Sequence, residues 1–148
     1  MATVDATSQK VQRMLAASFS DVRLTARGFA VPYGSSEVLV EIRDWGTDSK
    51  GEPQSLVYLW APLGREVTLT PELYQWAAVD GQANYFGSVR VIPNDETKLC
   101  LVTYEHTLLG DFLDPMELET SVMMMYVTAD KFDDIVHDRF GGKRFTDE

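Results

Sequence analysis

The chain has 148 residues, 45% of them apolar, and 23 Asp and Glu stand against 13 Lys and Arg for a formal charge of −10. That size and apolar share suit a single domain over residues 1–148, with a core that needs no disulfide or metal, and they exclude a disordered chain. The charge repels phosphate backbones and anionic lipid surfaces, so neither a nucleic acid nor a membrane is an expected partner; it keeps the protein soluble or favours a basic or amphipathic peptide.

One cysteine, Cys100, cannot form an internal disulfide, which fits a reducing cytoplasm. The opening MATVDATSQK lacks a basic patch followed by an apolar run, so no signal peptide is expected. No apolar run approaches the roughly 20 residues that span a bilayer.

Met1 to Thr7 reads as a loose tail. Ser8 can cap a first helix that buries Val11, Met14, Leu15 and Phe19. Val22 to Val31 reads as a strand, interrupted at Gly28 and ended by Pro32. After a turn at Gly34-Ser35-Ser36, Val38, Val40 and Ile42 alternate with Glu37, Glu41 and Arg43, the pattern of a half-buried strand. Asp48 to Gly51 turns the chain. Ser55 to Ala61 is apolar on both parities, Leu56, Tyr58 and Trp60 on one, Val57 and Leu59 on the other.

Thr70-Pro71-Glu72 opens a second helix that stops at Gly81. Two strands follow, Tyr85 to Ile92 and Lys98 to Thr107, the second again apolar on both parities. Asp114 as cap, Pro115 at the first helical position and Glu117 three residues after the cap open a long final helix. Leu118, Val122, Met125, Ala129, Phe132, Val136 and Phe140 recur on one face, and Gly141-Gly142 ends it. Lys143 to Glu148 reads as a polar, mobile tail.

The order α-β-β-β-α-β-β-α, with short turns between adjacent strands, predicts an α+β fold: three helices on a largely antiparallel, five-stranded sheet. Two strands that are apolar on both faces require a cover on each. The middle helix, a second copy of the chain or a bound peptide could supply the second cover.

No catalytic motif is present. Asp130, Asp133, Asp134, His137 and Asp138 lie on the last helix, and Asp134 with His137 could face one metal. A carboxylate-bridged site needs a matching motif on another helix, however, and a solvated acidic face explains the cluster. Cys100 and His106 stand about 20 Å apart along one strand, too far for thiol activation. No cofactor and no catalytic or metal-binding residue is assigned. Met123, Met124 and Met125 fill a core or offer a soft, adaptable surface. Trp45, Tyr58, Trp60, Tyr85 and Tyr104 are the candidate partner-binding residues, because large aromatics carry much of the energy at interfaces. Trp45, on the polar parity at the end of its strand, is the foremost candidate for exposure.

The element order, together with Asn84, Phe86-Gly87, Leu108, Leu113-Asp114-Pro115, Leu118, Ala129-Asp130, Phe132-Asp133-Asp134 and Arg139-Phe140-Gly141-Gly142, resembles the YbjN family, which shares the fold of type III secretion chaperones. The resemblance implies a non-enzymatic, cytoplasmic bacterial protein, a homodimer that binds a client protein or peptide. Self-association without a client is the alternative, and a metal enzyme built on the acidic helix the remote one.

Overall fold

A computed structural model describes residues 2–147. The elements are α1 (Ala2–Ser18), β1 (Arg23–Thr25), β2 (Gly28–Tyr33), β3 (Ser36–Thr47), β4 (Pro53–Thr68), α2 (Pro71–Val79), a short 3-10 turn (Asp80–Gln82), β5 (Ser88–Asn94), β6 (Leu99–Leu109) and α3 (Pro115–Phe140). The strands form one six-stranded antiparallel sheet in the order β1-β2-β3-β4-β6-β5.

The α+β architecture is as expected, with six strands in place of five. The extra strand arises because the stretch read as one strand is a hairpin: Leu24 pairs with Phe29 and Thr25 with Gly28. The Thr25 hydroxyl accepts from Arg27 N (3.3 Å), a local turn bond that propensity alone does not reveal. Pro32 does not end the strand, for it is accommodated at an exposed position of β2.

β4 is the longest strand and the spine of the sheet. It runs through Pro62 and Gly64 because two irregularities in its register with β6, at Pro62/Gly64 and Gly64/Val67, absorb them. The helix ends follow local chemistry. Thr70 Oγ1 accepts from Leu73 N (3.2 Å) and Asp114 Oδ1 from Glu117 N (2.8 Å), each satisfying a free donor of the first turn.

All three helices pack on the same side of the sheet. α1 lies on β3 and β4, α3 on β2, β3, β4 and β6, and α2 beside β5. Trp76 of α2 meets Phe132 of α3 edge-on at 5.3 Å, and Phe132 in turn meets Tyr104 of β6 at 5.6 Å. The middle helix therefore extends the helical layer and does not cover the second face of the sheet. Val57, Leu59, Ala61, Val102, Val122, Met125 and Val136 are fully buried between the layers. Each large apolar side chain so buried is worth about 2 kcal/mol.

Two expectations at the ends are corrected. α1 starts at Ala2, not after Thr7, because Thr7 is itself a contact residue: buried, its hydroxyl 2.6 Å from that of Ser55. The segment after α3 is pinned, Lys143 pairing with Arg65 of β4; Glu148 lies outside the described residues.

One edge of the sheet is blunted. Gln82 Nε2 donates to the Val89 carbonyl (3.2 Å), and Pro93 of β5 has no N–H to offer. The other edge, β1, is three residues long and exposed throughout.

Candidate functional site: the uncovered sheet face

Register decides which side chains share the uncovered face. Cα partners across the sheet make three rows: Leu39, Trp60 and Glu105; Glu41, Tyr58 and Thr107; Arg43, Leu56 and Leu109. Val57, Leu59 and Ala61 alternate with these along β4 and point to the helices. Among the described residues no helix packs on this face. Leu56, Tyr58 and Trp60 are accordingly only half-buried, and Leu109 is exposed.

The two aromatic rings are held in place. Trp60 Nε1 donates to Glu41 Oε1 (3.1 Å), and Arg43 donates to Glu41 Oε2 through Nη2 (2.6 Å) and Nε (3.2 Å). The Arg43 guanidinium lies 4.0 Å from the Tyr58 ring centre, a cation–π contact. Burial of Glu41 raises its pKa, but the hydrogen bonds from Arg43 and Trp60 outweigh this and hold the carboxyl below its ordinary value. Burial pushes the Tyr58 phenol upward, and the nearby Glu105 carboxylate adds to the shift. Both groups thus keep one charge state near neutral pH, Glu41 ionised and Tyr58 neutral.

Three carboxylates around the aromatic centre each have an arginine: Arg43 with Glu41, Arg90 with Glu105 (3.6 Å) and Arg23 with Glu37. A chain of charge −10 therefore carries a face that is locally neutral, with an aromatic and aliphatic centre. Beyond Thr103 the face continues over Leu101 and Ile92 into an open groove of about 820 Å³, rimmed by Glu66, Asp95 and Glu96.

The five aromatics singled out from the sequence divide. Tyr58 and Trp60 stand together at the centre of the face. Trp45 is 48% exposed at the bulge between Asp44 and Gly46, at the border of the face. Tyr85 is 98% exposed but precedes β5, beside a recess with His106 and Thr107. Tyr104 is a core residue: it is fully buried on the helix side beneath Phe132, and burial pushes its phenol up to about 12. Thr128 is near enough to oppose that shift, yet the Tyr104 hydroxyl completes no hydrogen bond.

Strand parity placed Leu56 beside Tyr58 and Trp60, but sequence reasoning missed Leu39 and Leu109, and the pairing of Glu41 and Arg43 with the rings. The polar parity of β3 was visible, but its alignment with Tyr58 and Trp60 emerges only from the register.

The other clusters resolve into structural contacts. Asp133 and Asp134 bind Arg144, and Ser35 donates to Asp130 and Asp133. Among the described residues no three His, Cys, Asp or Glu side chains stand close enough to hold a metal ion. Cys100 is buried, and burial pushes its thiol pKa up, away from a reactive thiolate. Among the described residues no helix is long and apolar enough to cross a membrane.

A helical layer on one side of an antiparallel sheet, with an ordered aromatic face on the other, defines a protein built around a broad surface. Residues 5–148 match the model of the family described as T3SS (YopN, CesT) and YbjN peptide-binding chaperone 1. The chain belongs to that family, as its motifs and element order led one to expect. No significant match was found among curated proteins.

Proposed function

We propose that this chain is a chaperone or adaptor that works by binding, without covalent chemistry, and that it holds an apolar segment of a client protein against the uncovered sheet face. The observation that carries this reading is the Trp60-Glu41-Arg43-Tyr58 network. It fixes two large rings on a face that no helix covers. Rigid aromatics lose little entropy on binding, and such preorganisation is where affinity is gained. Trp45, at the border, would extend the surface. Tyr85 would take part only if the client reached past β5. The proposed setting is the bacterial cytoplasm.

Selection of a random-peptide display library on the purified protein tests this, with Trp60→Asp as the counter-selecting control. Peptides that bind the native chain and lose at least tenfold affinity on Trp60→Asp support it. Circular dichroism must show the variant folded. If selected peptides bind both proteins equally, the face is not the binding site.

A second reading has its own observation. Because the charges on the face cancel pairwise, a second copy of this acidic chain can approach there without the repulsion met elsewhere. Sedimentation velocity decides. A dimer converted to monomer by Trp60→Asp favours self-association through the face, whereas a dimer that survives the substitution leaves the face to a client.

A further inference from the structure

The segment after α3 is seated in a site of its own. Gly141 (φ 75°) and Gly142 (φ 79°) turn the chain back, and a Cβ on Gly142 would stand 2.8 Å from the Arg65 carbonyl oxygen. Lys143 then pairs with Arg65 through reciprocal bonds: Arg65 N donates to Lys143 O (2.9 Å) and Lys143 N to Arg65 O (2.8 Å). The register of β3 on β4 extends no further than Trp60, so Lys143 takes the place of the next strand on a free stretch of β4.

The side chains match in charge. Lys143 Nζ is 2.8 Å from Glu66, and Arg144 Nη1 is 2.6 Å from Asp134 and 3.3 Å from Asp133. The Arg65 guanidinium donates to the carbonyl of Arg144 (3.4 Å) and to that of Asp147. The Asp133 side chain is only 4% exposed, so without a cation it would be a buried, poorly compensated charge. Phe145, by contrast, remains 45% exposed. The segment is held by one bridge and by ion pairs, with little apolar burial, which is the character of an element that opens at low cost.

We propose that the free edge of β4 at Arg65-Glu66, flanked by Asp133 and Asp134, is a second peptide site. It takes a segment with two consecutive basic residues, the first strand-paired with Arg65, and Lys143-Arg144 fills it in cis as a displaceable occupant. The occupant is defined by strand pairing with Arg65 and by two cations opposite three carboxylates. This site meets the groove at the end of the Trp60 face only at Glu66, and it does not depend on the reading given above for that face.

The probe is a fluorescein-labelled peptide, Gly-Lys-Arg-Phe-Thr-Asp, with Gly-Glu-Glu-Phe-Thr-Asp as control. A tether this short gives the native segment an effective concentration on the order of millimolar, so the native chain should bind the probe weakly. The full chain carrying Lys143→Glu and Arg144→Glu should bind it at least tenfold more tightly by anisotropy. Adding Asp133→Asn and Asp134→Asn should abolish that gain, and Trp60→Asp should leave it unchanged. If the charge-reversed chain does not fold, NMR of the native protein decides: millimolar probe should shift the amides of Arg65 and Lys143. Equal affinity for the native and charge-reversed chains, equal binding of the acidic control, or unmoved Arg65 and Lys143 amides would overturn the proposal.

Discussion

At the scale of single residues, two buried polar groups with opposite hydrogen-bonding fates give opposite predictions. The Tyr104 hydroxyl is buried without a partner. Removing an unsatisfied polar atom relieves its desolvation cost, so Tyr104→Phe should leave stability unchanged or raise it by about 1 kcal/mol, read from urea unfolding. Glu41 accepts from both Trp60 and Arg43. Glu41→Gln weakens a charge-assisted bond in a half-closed site and should cost about 1–2 kcal/mol at pH 7. Because the folded pKa of Glu41 lies below its ordinary value, the benefit is present above that ordinary value. It fades as pH falls through the folded one. Native and Glu41→Gln chains should therefore converge in stability at strongly acid pH. A difference that persists there would mean that the bonds do not depend on the carboxylate charge.

At the scale of elements, the turn between β2 and β3 is locked to α3. Gly34 has φ 56°, and a Cβ there would collide with Asp130 Oδ1, the carboxylate oxygen that also accepts from Ser35 N. Gly51, at φ 81°, has nothing within 4 Å. Both alanine variants bear the strain of a left-handed backbone, about 1 kcal/mol, but only Gly34→Ala also displaces a helix contact. Thermal unfolding should show Gly34→Ala as the more damaging; equal losses would mean that the Asp130 contact contributes nothing.

The same elements show what sequence reveals and what it conceals. α3 was legible from Asp114 to Gly142, because its cap, its apolar spacing and its terminal glycines are local signals. α2 was legible for the same reason, through Thr70 and Pro71. The start of α1 was not, since Thr7 is fixed by Ser55, 48 residues away in sequence. The full length of β4 was not either: its apolar pattern was read over Ser55 to Ala61, and the bulges that carry the strand on past Pro62 and Gly64 have no local signal. The aromatic face was half legible. Strand parity grouped Leu56, Tyr58 and Trp60 correctly, but only the packing of α2 and α3 shows that Tyr104 is core and Tyr58 is not. The pinned segment after α3 was hidden, as its partners Arg65, Glu66 and Asp133 are distant in sequence.

At the scale of the whole molecule, charge is distributed unevenly: a face balanced by Arg–Glu pairs on a chain of net −10. Self-repulsion of the remaining acidic surface opposes compactness and is screened within about 10 Å at 0.1 M salt. The melting temperature should therefore rise by a few degrees between 20 and 300 mM sodium chloride. A fall would show that the paired charges, which salt weakens, outweigh the repulsion.

The two sheet margins differ in a way that limits growth. Val89 and Pro93 share a parity along β5, so the groups facing outward there are partly capped by Gln82 and partly missing. β1, by contrast, leaves its outer backbone uncapped, with Leu24 75% exposed. A filament of stacked sheets needs two adhesive margins, one to receive and one to offer. With one margin short and the other capped in part, margin-to-margin joining of this protein favours a pair over an endless fibre, through one proline and one glutamine.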